Sequence, residues 1–162
     1  MAEFVMKKLV KDAGKESEFE ISSMAVSGEE WGNPIYPPAK AKMREHGIPF
    51  GDHRAHKITL QEFNDADLVI IMDESNRRLL TRIVGSIPAG TDCFADGGKV
   101  RKLMEFTGQD RDVADPWYTG DFETTYQDIL EGCTALLKAL SANIGNCLPQ
   151  TDQKKRLKTI LT

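Results

Sequence analysis

The stretch Ala66-Asp-Leu-Val-Ile-Ile-Met-Asp-Glu-Ser-Asn76, "ADLVIIMDESN", decides the fold. Leu68 to Met72 are apolar without alternation, the pattern of a strand buried on both faces of a parallel sheet. Such a strand requires helices above and below it. "ESNRRLLTRIVG" directly after it supplies one helix. Upstream, Met1, Phe4, Val5, Leu9 and Val10 recur at helical spacing until Gly14. "FEISSMAV" from Phe19 reads as a strand, and Pro37 and Pro38 open a helix that Gly47 closes. Thr59 and Glu62 have the spacing of a capping box on a short helix. Downstream, "VRKLMEF" is a further strand, and Phe122, Tyr126, Ile129, Leu130, Cys133, Leu136, Leu137 and Leu140 mark a long amphipathic helix. Strands alternating with helices predict a three-layer α/β/α domain around a mainly parallel sheet. Residues 141–153, "SANIGNCLPQTDQ", lose this periodicity and read as a linker or loose tail beyond a domain of residues 1–140.

Composition narrows the function classes. The chain has 162 residues, 40% hydrophobic and 28% charged, and is one domain's worth. No apolar run approaches the roughly 18 residues of a membrane span, and the opening lacks a signal peptide's layout, so the expected setting is cytoplasmic with no membrane partner. The net charge is −4, and the last twelve residues contribute +3, which leaves about −7 on the rest. An acidic body argues against nucleic acid as partner. Three cysteines at wide spacings and three histidines give neither a disulfide framework nor a zinc pattern, so no metal and no cofactor is expected.

"VADPWYTGDFE", residues 113–123, places Asp115 before a proline and two large aromatics. Pro116 disfavours the helical basin at Asp115 and stiffens the loop. One reading is a plain Asp-Pro turn; the other is a proton donor, whose carboxyl apolar neighbours would keep protonated by desolvation. In sheets of this class the ligand sits at the carboxyl ends of the strands, near helix N-termini, where this loop would reach.

Taken together, "MAEFVMKKLVKDAG", "GNPIYPPAKAKMREHGI", "DLVIIMDESN" and "DVADPWYTGDFETTYQDILEGC" resemble the low-molecular-weight protein tyrosine phosphatases over residues 1 to about 140. The resemblance implies a four-stranded parallel sheet and a metal-free cytoplasmic enzyme acting on a phosphotyrosine-containing protein or a small aryl phosphate. It implies attack by a cysteine thiolate on phosphorus, with an aspartate protonating the departing phenol. Asp115 resembles that general acid. Trp117 and Tyr118 resemble aromatic walls for the substrate ring, with Trp31 facing them. Ser23 and His53 resemble the residues that brace the phosphate loop. By themselves, Ser23 reads equally as a satisfied strand-end hydroxyl, His53 as a surface imidazole and Trp31 as a rim residue.

The family's nucleophile lies in a C-x5-R-[ST]-P loop between the first strand and a segment like "MAEF". The 162 residues contain no such loop: six residues after Cys93 stands Lys99, after Cys133 Ala139 and after Cys147 Gln153. Cys93 and Cys133 read as structural or incidental and Cys147 as a free thiol. A phosphate dianion needs a cradle of N–H groups and a guanidinium, and the thiolate needs the same positive groups to form. The chain is therefore expected to be inactive or strongly impaired as written. "KKRLKTILT", residues 154–162, resembles the family's opening strand, which suggests a circular permutation with this tail in the central slot. The alternatives are a mis-started or truncated reading frame with a disordered tail, a non-catalytic anion- or phosphoprotein-binding module on the same fold and, last, an arsenate reductase, for which no suitable cysteine pair is seen.

Overall fold

The structure, a computed structural model, describes residues 1–87, 98–147 and 157–161; the side chains of Tyr118, of residues 144–147 and of residues 157–161 lie outside the description. In chain order the elements are α1 (Ala2–Asp12), β1 (Phe19–Ser23), α2 (Pro37–Glu45), α3 (Leu60–Asp65), β2 (Leu68–Ile71), α4 (Glu74–Val84), β3 (Val100–Lys102), a 3-10 turn (Leu103–Thr107), α5 (Pro116–Thr119), α6 (Phe122–Cys147) and β4 (Leu157–Leu161).

β2 is buried along its whole length, each of its four residues being at most 1% exposed. Leu68 and Ile70 enter the core beneath α1, α2 and α6, where they meet Phe4, Val5, Met43, Ile129 and Leu136. Val69 and Ile71 enter the opposite core with Phe63 of α3, Leu80 of α4 and Val100. One residue's step along the strand changes the core it serves, which is why the run shows no polar alternation.

The sheet order is β1-β4-β2-β3 and every pairing is parallel. Ser23 is level with Leu161, and Leu68 is level with Thr159. β1 and β2 thus share β4 as their common neighbour, and their ends lie along one edge.

Local signals set the boundaries. The Thr59–Glu62 capping box forms, with Glu62 N donating to Thr59 Oγ1 at 3.2 Å and Thr59 N donating to Glu62 Oε2 at 2.9 Å. A second box, absent from the sequence reading, starts α4: Asn76 N donates to Asp73 Oδ1 at 2.7 Å, and Asp73 N donates to Asn76 Oδ1 at 3.4 Å. "VRKLMEF" is strand for only three residues. Lys102 N then donates to Glu105 Oε1 at 3.1 Å, and the chain turns into Leu103–Thr107, closed by Gly108 in the left-handed region at φ 80°. The expected linker at 141–153 is helix over its described part, residues 141–147. They continue α6 to Cys147, and within them Asn143 Nδ2 donates to Ala139 O one turn back at 2.9 Å. Residues 148–156 and 162 lie outside the described residues.

α6 is held against the 3-10 turn by a close approach at Gly132, where an added Cβ would lie 2.5 Å from Leu103 Cγ. It also anchors the segment before α5. Arg111 donates to both oxygens of Asp128 at 2.9 and 2.8 Å, Ala114 N donates to Asp128 Oδ2 at 3.0 Å, and Thr125 Oγ1 donates to Ala114 O at 2.7 Å. Val113 N donates to Met72 O at 2.9 Å, tying the same segment to the end of β2.

Two predictions follow from these contacts. Gly132→Ala ordinarily gains about 1 kcal/mol in a helix interior, but here the clash with a fully buried leucine reverses the sign. Urea unfolding of Gly132→Ala is expected to show a net loss of about 1–3 kcal/mol. The Arg111 hydrogen bonds, with Ala114 N, outweigh burial and hold the Asp128 carboxyl below its usual 3.8. A depressed carboxylate stabilises the fold above its unfolded pKa, and this contribution disappears as pH falls through its folded value. Thermal melts between pH 7 and pH 2 should therefore show Asp128→Asn less stable by about 1–3 kcal/mol at pH 7, with the gap narrowing below pH 4.

Candidate functional site

At the edge where β1 and β2 end, Ser23, Tyr36, His53, Asp115 and Trp117 line one cavity of about 630 Å3 together with Met1. An adjoining pocket of about 330 Å3 shares Met1, Ser23, Tyr36, Asp115 and Trp117 and extends to Met72 and Phe122. Residues remote in sequence meet here because Ser23 ends β1, Met1, Tyr36 and Asp115 start helices, and His53 lies in the connection between α2 and α3.

Ser23 closes β1, and its Oγ donates to Glu3 Oε2 at 2.5 Å across the first turn of α1. His53 Nδ1 lies 3.4 Å from the same oxygen, and its ring meets Phe4 edge-on at 6.1 Å. Lys7, one turn along α1, bonds to the other Glu3 oxygen. Glu3 is only 6% exposed. Burial opposes its ionisation, yet the hydrogen bonds from Lys7 and Ser23 and the charges of Lys7 and His53 win, and the carboxyl sits below the usual range. A buried acid at a helix N-terminus also gains from the aligned peptide dipoles. Glu3 is thus the knot between α1, β1 and the loop at His53. It was not singled out in the sequence, although an acid in the first turn of an otherwise apolar helix face was the available signal.

Asp115 is the N-cap of α5, with Oδ1 accepting from Trp117 N at 2.8 Å. The side chain is exposed. The apolar enclosure expected around it is not formed by the described residues: the short helix turns the carboxyl toward the open cavity, and Trp117 extends into solvent at 71% exposure. Tyr118 lies in α5, and its side chain is outside the described residues.

Trp31 is not among the lining residues. It stands 66% exposed in a turn where its N–H donates to Gly28 O at 3.3 Å. Tyr36 instead meets Trp117, with ring centroids 5.7 Å apart at 53°. Sequence reading passed over Tyr36 because it took the tryptophan in the same loop; the signal was a tyrosine directly before the two prolines that open α2.

Cys133 is fully buried on α6, burial pushes its thiol up to about 12, and its Sγ lies 3.9 Å from Ala2 O. Such a thiol is inert as a nucleophile at neutral pH. Cys93 and the Cys147 side chain lie outside the described residues. Among the described residues, no group of three or more His, Cys, Asp or Glu could hold a metal ion, and no helix is long and apolar enough to cross a membrane.

What the arrangement offers chemically is a carboxylic acid beside two exposed aromatic rings, next to the start of a helix and a hydrogen-bonded Ser–Glu–His group. A family model described as low molecular weight phosphotyrosine protein phosphatase matches residues 1–146. The chain is 36% identical over 141 residues to the human low molecular weight phosphotyrosine protein phosphatase, covering 85% of each chain. It is 30% identical over 142 residues to the low molecular weight protein-tyrosine-phosphatase YfkJ of Bacillus subtilis (strain 168), covering 86% of each. The crystal structure of YfkJ from Bacillus subtilis matches with a TM-score of 0.76 at 29% identity, covering 87% of this chain and 85% of that one. SP-PTP, a low molecular weight protein tyrosine phosphatase from Streptococcus pyogenes, matches with a TM-score of 0.67 at 28% identity, covering 95% and 89%. This chain belongs to the low molecular weight phosphotyrosine protein phosphatase family.

Proposed function

We propose that this protein carries the acid and substrate-ring half of a phosphotyrosine phosphatase site, and that the 162 residues do not by themselves hydrolyse phosphate monoesters. The observation that carries the reading is the meeting of Asp115 and Trp117, from one motif, with Ser23 and His53 on one cavity, since these three stretches lie far apart in the chain. In this reaction a thiolate attacks phosphorus and the P–O bond to the ring breaks. Asp115 gives its proton to the departing phenol oxygen, and then takes a proton from the water that attacks the thiophosphate. Ser23 and His53, joined through Glu3, act as braces for the phosphate-binding loop.

The sulfur and the guanidinium of that reaction have no C-x5-R among these residues. The reading assigns to β4 the sheet position that the family gives to the strand leading into its nucleophile loop. Two features support the assignment. β4 lies between β1 and β2, and Leu161 is level with Ser23, which itself bonds to the first turn of α1. The end of β4 and the start of α1 thus lie toward the same edge of the sheet as Ser23, which is in keeping with a circularly permuted chain. The substrate on this reading is a phosphotyrosine side chain or small aryl phosphate. A cytoplasmic setting belongs to the same proposal, and the free thiol of Cys133 accords with a reducing compartment.

Hydrolysis of p-nitrophenyl phosphate tests this in two chains: the 162 residues as they stand, and a form closed by joining Thr162 to Met1 through a C-x5-R-S-P loop. The first is expected to stay at background. The closed form should turn over, and Asp115→Asn should lower its rate by about 10²–10⁴-fold. Turnover by the unclosed chain contradicts the assignment of half a site. A closed form that is folded but inactive contradicts the permuted reading and favours an anion-binding module on this fold.

A further inference from the structure

We infer that Asp128, with Thr125, is a positioning residue for the Asp115 carboxyl, because these two side chains of α6 hold both backbone groups of Ala114, the residue before the acid. The inference rests on the phosphatase reading and names what keeps its proton donor in place. A general acid works only where its oxygen meets the leaving oxygen, and a displacement of about 1 Å can cost about 10²-fold in rate. Burial does not supply that precision here. The Asp115 side chain is exposed, and α5 behind it is four residues long, with Trp117 and Thr119 exposed too. Gln109, Asp110 and Asp112 in the connection before it are also exposed.

Three hydrogen bonds to the preceding backbone supply the fixed points instead. Val113 N donates to Met72 O at 2.9 Å, at the end of β2. Ala114 N donates to Asp128 Oδ2 at 3.0 Å. Ala114 O accepts from Thr125 Oγ1 at 2.7 Å, nearer than that hydroxyl's 3.2 Å contact with Asp121 O. Thr125 and Asp128 are 4% and 8% exposed and stand three residues apart, on one face of α6. Between the held peptide and the carboxyl remain only the torsions of Asp115 itself. Pro116 restricts its backbone, and the bond from Trp117 N at 2.8 Å holds its side chain.

The chemistry of position 128 fits this role better than that of an ion pair kept for stability. Asp128 Oδ2 accepts at once from Ala114 N and from Arg111 at 2.9 Å, while Oδ1 takes the other Arg111 nitrogen at 2.8 Å. Apolar side chains of similar volume join two elements at least as firmly as a buried ion pair does. They would leave the Ala114 N–H without its acceptor. Substitution by Asn keeps the shared oxygen and gives up one Arg111 bond, whereas Ala removes both, so the two variants separate the hold on Ala114 from the ion pair.

The test compares Asp128→Asn with Asp128→Ala, first by NMR of the 162-residue chain. Amide exchange of Ala114, taken relative to the β2 amides, is expected to rise at least about tenfold in Asp128→Ala and to stay within about threefold in Asp128→Asn. The Trp117 amide proton, which reports its bond to Asp115, should shift in Asp128→Ala alone. If Asp128→Ala does not fold, Thr125→Val keeps the shape and removes the other donor; it should move the same Trp117 signal, and Thr125→Ser should not. In the closed chain, phenyl phosphate has a leaving group that needs the proton more than p-nitrophenolate does. Its kcat/KM should fall by about 10- to 100-fold in Asp128→Ala, that of p-nitrophenyl phosphate should fall less, and Asp128→Asn should retain most of both. Unchanged Ala114 and Trp117 signals in the disruptive variants, Asp128→Asn as impaired as Asp128→Ala, or equal losses with the two substrates overturns the inference. A closed chain without activity counts against the phosphatase reading alone, and the Ala114 and Trp117 signals still decide whether Asp128 places Asp115.

Discussion

Two facing backbone edges, those of β1 and β2, are held a strand's width apart by the cores on either side of the sheet. Unpaired, their N–H and C=O groups would be stranded inside the protein at a cost of about 1–3 kcal/mol for each buried group. β4 pairs with both. Because the pairing is parallel, its register also fixes the height of everything at the carboxyl edge. Ser23 is level with Leu161, Glu3 is bonded to Ser23, and α1 begins from that bond. The cavity is the space left where these ends converge with the loop of Asp115.

The second constraint is polar and sits under the first. Glu3 is buried with three polar neighbours: Lys7 from its own helix, Ser23 from β1 and His53 from the long connection. A buried carboxylate is tolerable only when so partnered, and removing one partner costs far more than the pair gains. Asp128 plays the matching part on α6, holding Arg111 and Ala114 so that the segment before Asp115 meets the helix face. Two buried acids on two helices thus hold the segments that carry Ser23 and Ala114, and Asp115 itself is left exposed.

Most of the scaffold was legible because its signals are local and periodic. β2 declares itself by five apolar residues in a row, α6 by its 3.6-residue stripe, and α3 by Thr59 and Glu62. The misread segments are those where a tertiary contact or a hydrogen bond decides. After Lys102 the bond to Glu105 ends the strand, although Leu103 and Met104 are apolar enough to continue it. α6 runs on to Cys147, through residues 141–147 that read as linker. At the site, Asp115, Ser23 and His53 could be named from motif resemblance, but the meeting of Ser23 and His53 through Glu3 could not, because a carboxylate's partners depend on the fold. Trp31 and Tyr36 lie five residues apart in one loop, and only the path of that loop distinguishes which ring reaches Trp117.

The account stands on the central place of β4. The most direct measurement is amide hydrogen exchange of Leu157–Leu161 alongside Leu68–Ile71 in the intact 162-residue chain. The account predicts that the β4 amides are protected to within about tenfold of those in β2, because both open only with the sheet as a whole. Exchange of the β4 amides at the rate of free peptide, while β2 stays protected, would contradict it.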